Sequence, residues 1–113
     1  MTMNEQPICK VDECGNKRWL LNDQLHREDG PAAEYTNGDK YWFINDELHR
    51  EDGPAVEDVD GYKAWYLNGK RHRIDGPAIE WADGYKSWWV DDEKIEVSDN
   101  DTFLRMINLK AFW

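Results

Sequence analysis

A 23-residue period runs through most of this chain, and it limits the fold before composition is considered. Gly15, Gly38, Gly61 and Gly84 stand 23 residues apart, and Lys17, Lys40, Lys63, Lys86 and Trp19, Trp42, Trp65, Trp88 keep step with them. Asn22, Asn45 and Asn68 follow at the same interval, with Asp91 in the fourth place. Self-similarity of this kind means that one supersecondary unit is built several times and stacked, each copy burying a face it cannot bury alone. Three full units cover 15–37, 38–60 and 61–83; a fourth, 84–97, loses the pattern after Asp91. Together with a leading segment, 1–14, and a tail, 98–113, they make a single domain.

Within a unit the local signals are those of β-structure. Lys40-Tyr41-Trp42-Phe43-Ile44 and Lys63-Ala64-Trp65-Tyr66-Leu67 are short and rich in aromatic and branched residues, and Asn68-Gly69 just beyond is a turn pair. A second short segment follows each Gly-Pro pair: Ala32-Ala33-Glu34-Tyr35, Ala55-Val56-Glu57 and Ala78-Ile79-Glu80-Trp81. Two strands per unit are expected, and Ile8-Cys9-Lys10-Val11 supplies a leading one. The sum is a mainly β fold, an antiparallel meander of about eight strands. The tail differs in kind: Ser98-Asp99-Asn100-Asp101 offers helix N-caps, and Thr102 through Phe112 contains neither Gly nor Pro. A helix over about 99–111 follows, with Phe103, Ile107 and Ala111 on one side to cap the last unit.

The octapeptide Leu-His-Arg-Glu-Asp-Gly-Pro-Ala occurs at 25–32 and again, unchanged, at 48–55. A His, an Arg and two carboxylates so close together resemble chemistry. Yet a catalytic constellation occurs once, whereas a feature that builds every unit recurs in every unit. The motif is therefore read as a structural turn made by His26, Asp29, Gly30 and Pro31, by His49, Asp52, Gly53 and Pro54, and by His72, Asp75, Gly76 and Pro77. In such a turn Gly supplies unusual backbone angles, Pro fixes its own φ and Asp bonds nearby amides. His and Asp are expected to pair across the bend or along the stack. No metal or catalytic role is assigned to them.

Each Trp of the periodic series is followed two residues on by Leu21, Ile44, Leu67 or Val90, which places a core stripe on one face of the first strand. The opposite face varies between units: Arg18, Tyr41, Ala64, Ser87, then Leu20, Phe43, Tyr66, Trp89, with Tyr35, Asp58 and Trp81 on the second strand. If repeated positions build the scaffold, varying ones can write a specific surface. Tyr35, Tyr41, Phe43, Tyr66, Trp81 and Trp89 are the candidate partner-binding residues. Cover by the C-terminus is the other reading of that face.

Charge narrows the partners. Fourteen Lys and Arg against twenty-four Asp and Glu give a net charge of −10, which repels phosphate backbones and anionic membranes. Direct nucleic-acid or membrane binding is not expected. No apolar run is long enough to span a bilayer, and Met1 through Gln6 lacks the parts of a signal peptide, so a cytoplasmic protein is expected. Cys9 and Cys14 fit neither a redox pair nor a zinc knuckle and read as reduced thiols. With no Ser-His-Asp elbow, phosphate loop or paired ligand motif, neither enzyme action nor a cofactor is expected.

Trp65-Tyr66-Leu67-Asn68-Gly69-Lys70-Arg71-His72, then Gly76-Pro77-Ala78 and Asp83-Gly84-Tyr85-Lys86, resembles the MORN-type hairpin repeat. The Leu-His-Arg-x-Asp-Gly-Pro-Ala version is similar to repeat proteins of bacteriophages and large DNA viruses. The resemblance implies a phage-encoded protein of the host cytoplasm. On that basis the leading expectation is a non-catalytic acidic protein that binds and inhibits a host protein with a basic surface, such as an antiviral defence factor. Two alternatives stay open: a nucleic-acid mimic that blocks a DNA- or RNA-binding protein, and an oligomeric sponge for a nucleotide-like signal held by Arg27, Arg50 and Arg73. Self-association through edge strands or the C-terminal helix is a further possibility of the fold.

Overall fold

The computed structural model describes residues 5–110. It is mainly β, with fourteen short strands and one helix among those residues. After the leading strand β1 (Ile8–Val11), each unit opens with a strand that the four glycines introduce. These are β2 (Lys17–Leu21), the pair β5 (Lys40–Tyr41) and β6 (Phe43–Ile44), the pair β9 (Lys63–Ala64) and β10 (Tyr66–Leu67), and β13 (Lys86–Val90). A return strand follows at once: β3 (Gln24–Leu25), β7 (Glu47–Leu48), β11 (Lys70–Arg71) and β14 (Glu93–Ile95). Beyond each octapeptide loop lies a third strand, β4 (Ala33–Glu34), β8 (Val56–Glu57) or β12 (Ile79–Glu80).

The main sheet is an antiparallel meander in the order β1-β2-β4-β5-β8-β9-β12-β13-β14, as the period implies. Two details differ from expectation. Each full unit holds three strands rather than two, the divided first strand counted once, because a turn with both central residues in the left-handed region folds the chain straight back. Asn22-Asp23, Asn45-Asp46 and Asp91-Asp92 all have positive φ, as do Asn68 and Gly69, so two residues suffice to pair before the octapeptide begins. The first strands of the middle units are also divided at Trp42 and Trp65. At Trp42 pairing passes from β8, through Trp42 N–H to the Ala55 carbonyl, to β7, whose extension donates from His49 N–H to the Trp42 carbonyl.

At the opposite end of each first strand a glycine makes the other hairpin turn. Gly15 has φ +91° and donates to Asp12 O while Asp12 N–H donates to Asn16 O, the three-residue loop in which only a left-handed residue closes the ladder. Gly38 is further constrained, because a Cβ there would fall 2.7 Å from the Val59 side chain of the next loop.

The result is a plate of 46 × 39 × 17 Å with a radius of gyration of 16.3 Å, against about 13 Å for a compact domain of this length. A single layer has two faces and must use both. On one face the register aligns Ala33, Tyr41, Val56, Ala64, Ile79 and Ser87 across the sheet. Val56, Ala64 and Ile79 are the buried cluster there, flanked by Tyr41, Leu48, Tyr62, Tyr66 and Trp89. On the other face the same strands set Lys17, Glu34, Lys40, Glu57, Lys63, Glu80 and Lys86 side by side, alternating in sign. Opposed charges at neighbouring positions favour this register over a slip that would place like charges together.

The helix α1 (Asn100–Lys110) begins one residue later than expected. Asp99 is its N-cap, accepting from Thr102 N–H at 2.7 Å. Ala111, expected as its last residue, lies outside the described residues.

Candidate interaction surface

The octapeptide is a clasp. Arg50 lays its guanidinium 3.9 Å from the centroid of the Trp42 ring, donates from Nε to Asp52 at 3.0 Å, and donates from one terminal nitrogen to the Pro54 carbonyl and to Glu57 at 2.8 Å. Arg27 does the same over Trp19 with Asp29 and Pro31, and Arg73 over Trp65 with Asp75, Pro77 and Glu80. A guanidinium over an indole with charged acceptors in its plane combines cation–π attraction with charge-assisted hydrogen bonds. All partners belong to the same unit, so the clasp closes each copy on itself.

This geometry changes the reason for the glycines. Gly30, Gly53 and Gly76 are not in the left-handed region; a Cβ on any of them would stand 2.8–2.9 Å from the Arg27, Arg50 or Arg73 Cζ. They are small so that the guanidinium can lie across the bend. The histidines differ from expectation too. Rather than pairing with the Asp three residues on, His26, His49 and His72 accept at Nδ1 from the backbone N–H of Asn45, Asn68 and Asp91 in the following unit, at 3.1, 2.9 and 3.1 Å. Accepting there leaves Nε2 as the proton-bearing nitrogen, and in the first two units it meets Glu28 and Glu51 at 3.3 Å. His72 Nδ1 also lies 3.2 Å from the Asp91 carboxylate. Arg closes a unit; His joins it to the next.

The Trp stripe is only partly a core. Trp88 is 4% exposed, whereas Trp19, Trp42 and Trp65 are half-buried beneath their arginines. The contiguous apolar cluster lies on the opposite, varying face. Of the candidate partner-binding residues there, Tyr41, Phe43, Tyr66 and Trp89 are half-buried, and Tyr41, Tyr66 and Trp89 pack on the Val56–Ala64–Ile79 cluster. Tyr35 and Trp81 project further, 43% and 48% exposed, Tyr35 edge-on to Tyr41 and the Trp81 ring tilted at 58° against Tyr62 with centroids 4.7 Å apart. Burial holds the Tyr41 and Tyr62 hydroxyls above their usual pKa, with nearby Asp39 and Asp58 adding to it at Tyr41. Tyr62 is a member of this surface that the repeat pattern did not single out. Its signal was there, since Tyr62, Ala64 and Tyr66 alternate onto one face.

Among the described residues no cluster of His, Cys, Asp and Glu is placed to hold a metal ion, and Cys9 and Cys14 are free, exposed thiols. No described helix is long and apolar enough to cross a membrane. No family model, curated protein or solved structure matches the chain.

Proposed function

We propose that this chain is a non-catalytic binding protein whose aromatic face docks on a partner protein with a basic surface. The observation that carries the reading is the exposure of Tyr35 and Trp81 on a firmly stitched single-layer sheet, beside half-buried Tyr41, Tyr62, Tyr66 and Trp89. Rigid aromatics with one polar end suit interface anchors, and they lose little conformational freedom on binding. The net charge of −10 would steer a basic partner without entering the contact. The resemblance to phage repeat proteins makes a host protein, blocked by being bound, the expected target. The clasp disfavours the nucleotide-sponge alternative, since Arg27, Arg50 and Arg73 each spend Nε and a terminal nitrogen within their own unit.

The test uses the exposed pair rather than the packed ones. A Tyr35→Ala, Trp81→Ala double variant, checked for unchanged thermal unfolding, is expected to capture its partner about 30-fold more weakly, the effect of one interface anchor. Capture should weaken again at higher salt. A partner held equally well by the variant would remove this face from the reading.

A further inference from the structure

Opposite the aromatic face, an open groove lies between each octapeptide loop and the next. The first runs between Arg27–Gly30 and His49–Asp52 over a floor of Trp42 and Ile44, with a volume of about 770 Å³. The second, about 520 Å³, repeats it one unit on, between Arg50–Gly53 and His72–Asp75 over Trp65 and Leu67. Glu5–Pro7 forms the wall of a smaller one before them, and Ser98–Asn100 stands after them where a fourth octapeptide would be. The grooves thus form one row across the plate.

Their spacing selects an occupant. Each unit contributes two strands to the main sheet, so neighbouring grooves are separated by two strand spacings, about 9.6 Å. A polyproline-II chain advances about 9.3 Å in three residues and points every third side chain the same way. A β-strand repeats its facing side chains at about 6.6 Å and falls out of step within one groove. The rims choose the charge: Glu28, Asp29, Glu51, Asp52 and Asp75 have side chains more than four-fifths exposed and outnumber Arg27, Arg50 and Arg73 of the same loops, which are held in their clasps, while the floors are indole and aliphatic. Aromatic-floored grooves are also where proline-rich segments dock in other architectures.

We infer that this row of grooves binds a basic polyproline-II segment, with Lys or Arg at every third residue set between successive acidic rims and prolines against the Trp floors. The second groove is the weaker receptor, because Ile74 stands where Glu28 and Glu51 stand in the earlier units.

Calorimetric titration of the full chain with a synthetic peptide of four Pro-Pro-Arg triplets tests this. The control is a peptide of the same composition with its arginines contiguous, which simple charge attraction would favour or hold equally. The periodic peptide should bind about ten-fold more tightly. Exposed Ile74 allows a gain-of-function variant with little risk to folding: Ile74→Glu should tighten binding several-fold and Glu51→Gln should loosen it, while Tyr35→Ala on the other face should change nothing. Equal affinity for the two peptides, indifference to both groove variants, or no binding to either peptide would overturn the proposal. Since the two faces are separate, failure here leaves the aromatic-face reading standing, and the reverse.

Discussion

Trp65 and Trp88 hold the same place in consecutive units, and different chemistry covers them. Over Trp65 lies Arg73, tied to Asp75 and Glu80, and the ring stays half-buried. Trp88 has no such arginine, because the position one period beyond Arg73 is Glu96. Its indole N–H donates to Asn100 at the start of the helix, and its ring packs 6.4 Å from Phe103, which is fully buried. A polar clasp draws on its own unit alone and can be repeated without limit. An end has no following unit to supply His-accepted amides or a neighbouring strand, so it needs a lid that excludes water outright.

The largest test of that contrast is Phe103→Ala. Truncating a fully buried phenylalanine costs about 3–5 kcal/mol, and here the loss falls where the helix meets the sheet. Amide exchange should show the helix from Asn100 onward released while β2 to β12 stay protected. Uniform loss across the sheet would mean that the helix is part of one cooperative unit rather than a cap.

The clasp should be cheaper to open. Arg50→Ala is expected to cost about 2 kcal/mol, combining the lost cation–π contact with the lost charged hydrogen bonds. Because Gly53 has no left-handed backbone to maintain, Gly53→Ala should cost about 1–2 kcal/mol solely by displacing the guanidinium, and should cost almost nothing once Arg50 is Ala. Denaturant melts of the two single variants and the double variant close this cycle. Additive losses would show that the glycine serves something other than the arginine.

Much of this architecture was legible in the sequence. The period, the Asn68-Gly69 turn, the meander and the helix near residue 99 all follow from local signals that act over a few residues, whereas the Asn-Asp turns that add a third strand were not singled out. The clasp did not follow, although Trp42, Arg50 and Glu57 keep the same period. Which of them touch depends on how the loop folds over the strand, and periodicity reports recurrence rather than contact. Face assignment was legible only in part, for a different reason. Both faces of the first strand carry aromatics, and the sheet residues that bury most completely, Ala32, Ala55 and Ala78 beside Trp19, Trp42 and Trp65 and Ala64 on the opposite face, are small and give little hydrophobic signal. Gly30, Gly53 and Gly76 looked like backbone requirements because glycine before proline commonly is one, while the actual demand came from a side chain three residues back.

The smallest expected effect lies at the two ends of the array and depends on acid. The Asp99 carboxylate is held below its usual value near 3.8, first by the Thr102 N–H at the helix N-terminus. Asp92 is lowered by the Arg71 side chain in the last hairpin, and Asp12 by the Asn16 backbone in the first. A carboxylate bound more strongly when ionised contributes its full stabilisation above its unfolded value and loses it as pH falls through the lowered folded one. As pH falls below about 4 the helix start and both outer hairpins should therefore loosen, modestly, since all three groups face solvent. Asp99→Asn separates the helix from the rest: asparagine caps as well as aspartate but does not titrate, so exchange at Thr102 and Phe103 should lose its acid dependence in that variant. If acid released the helix equally in both proteins, its hold on the sheet would rest on Trp88 and Phe103 and owe nothing to the charge at its cap.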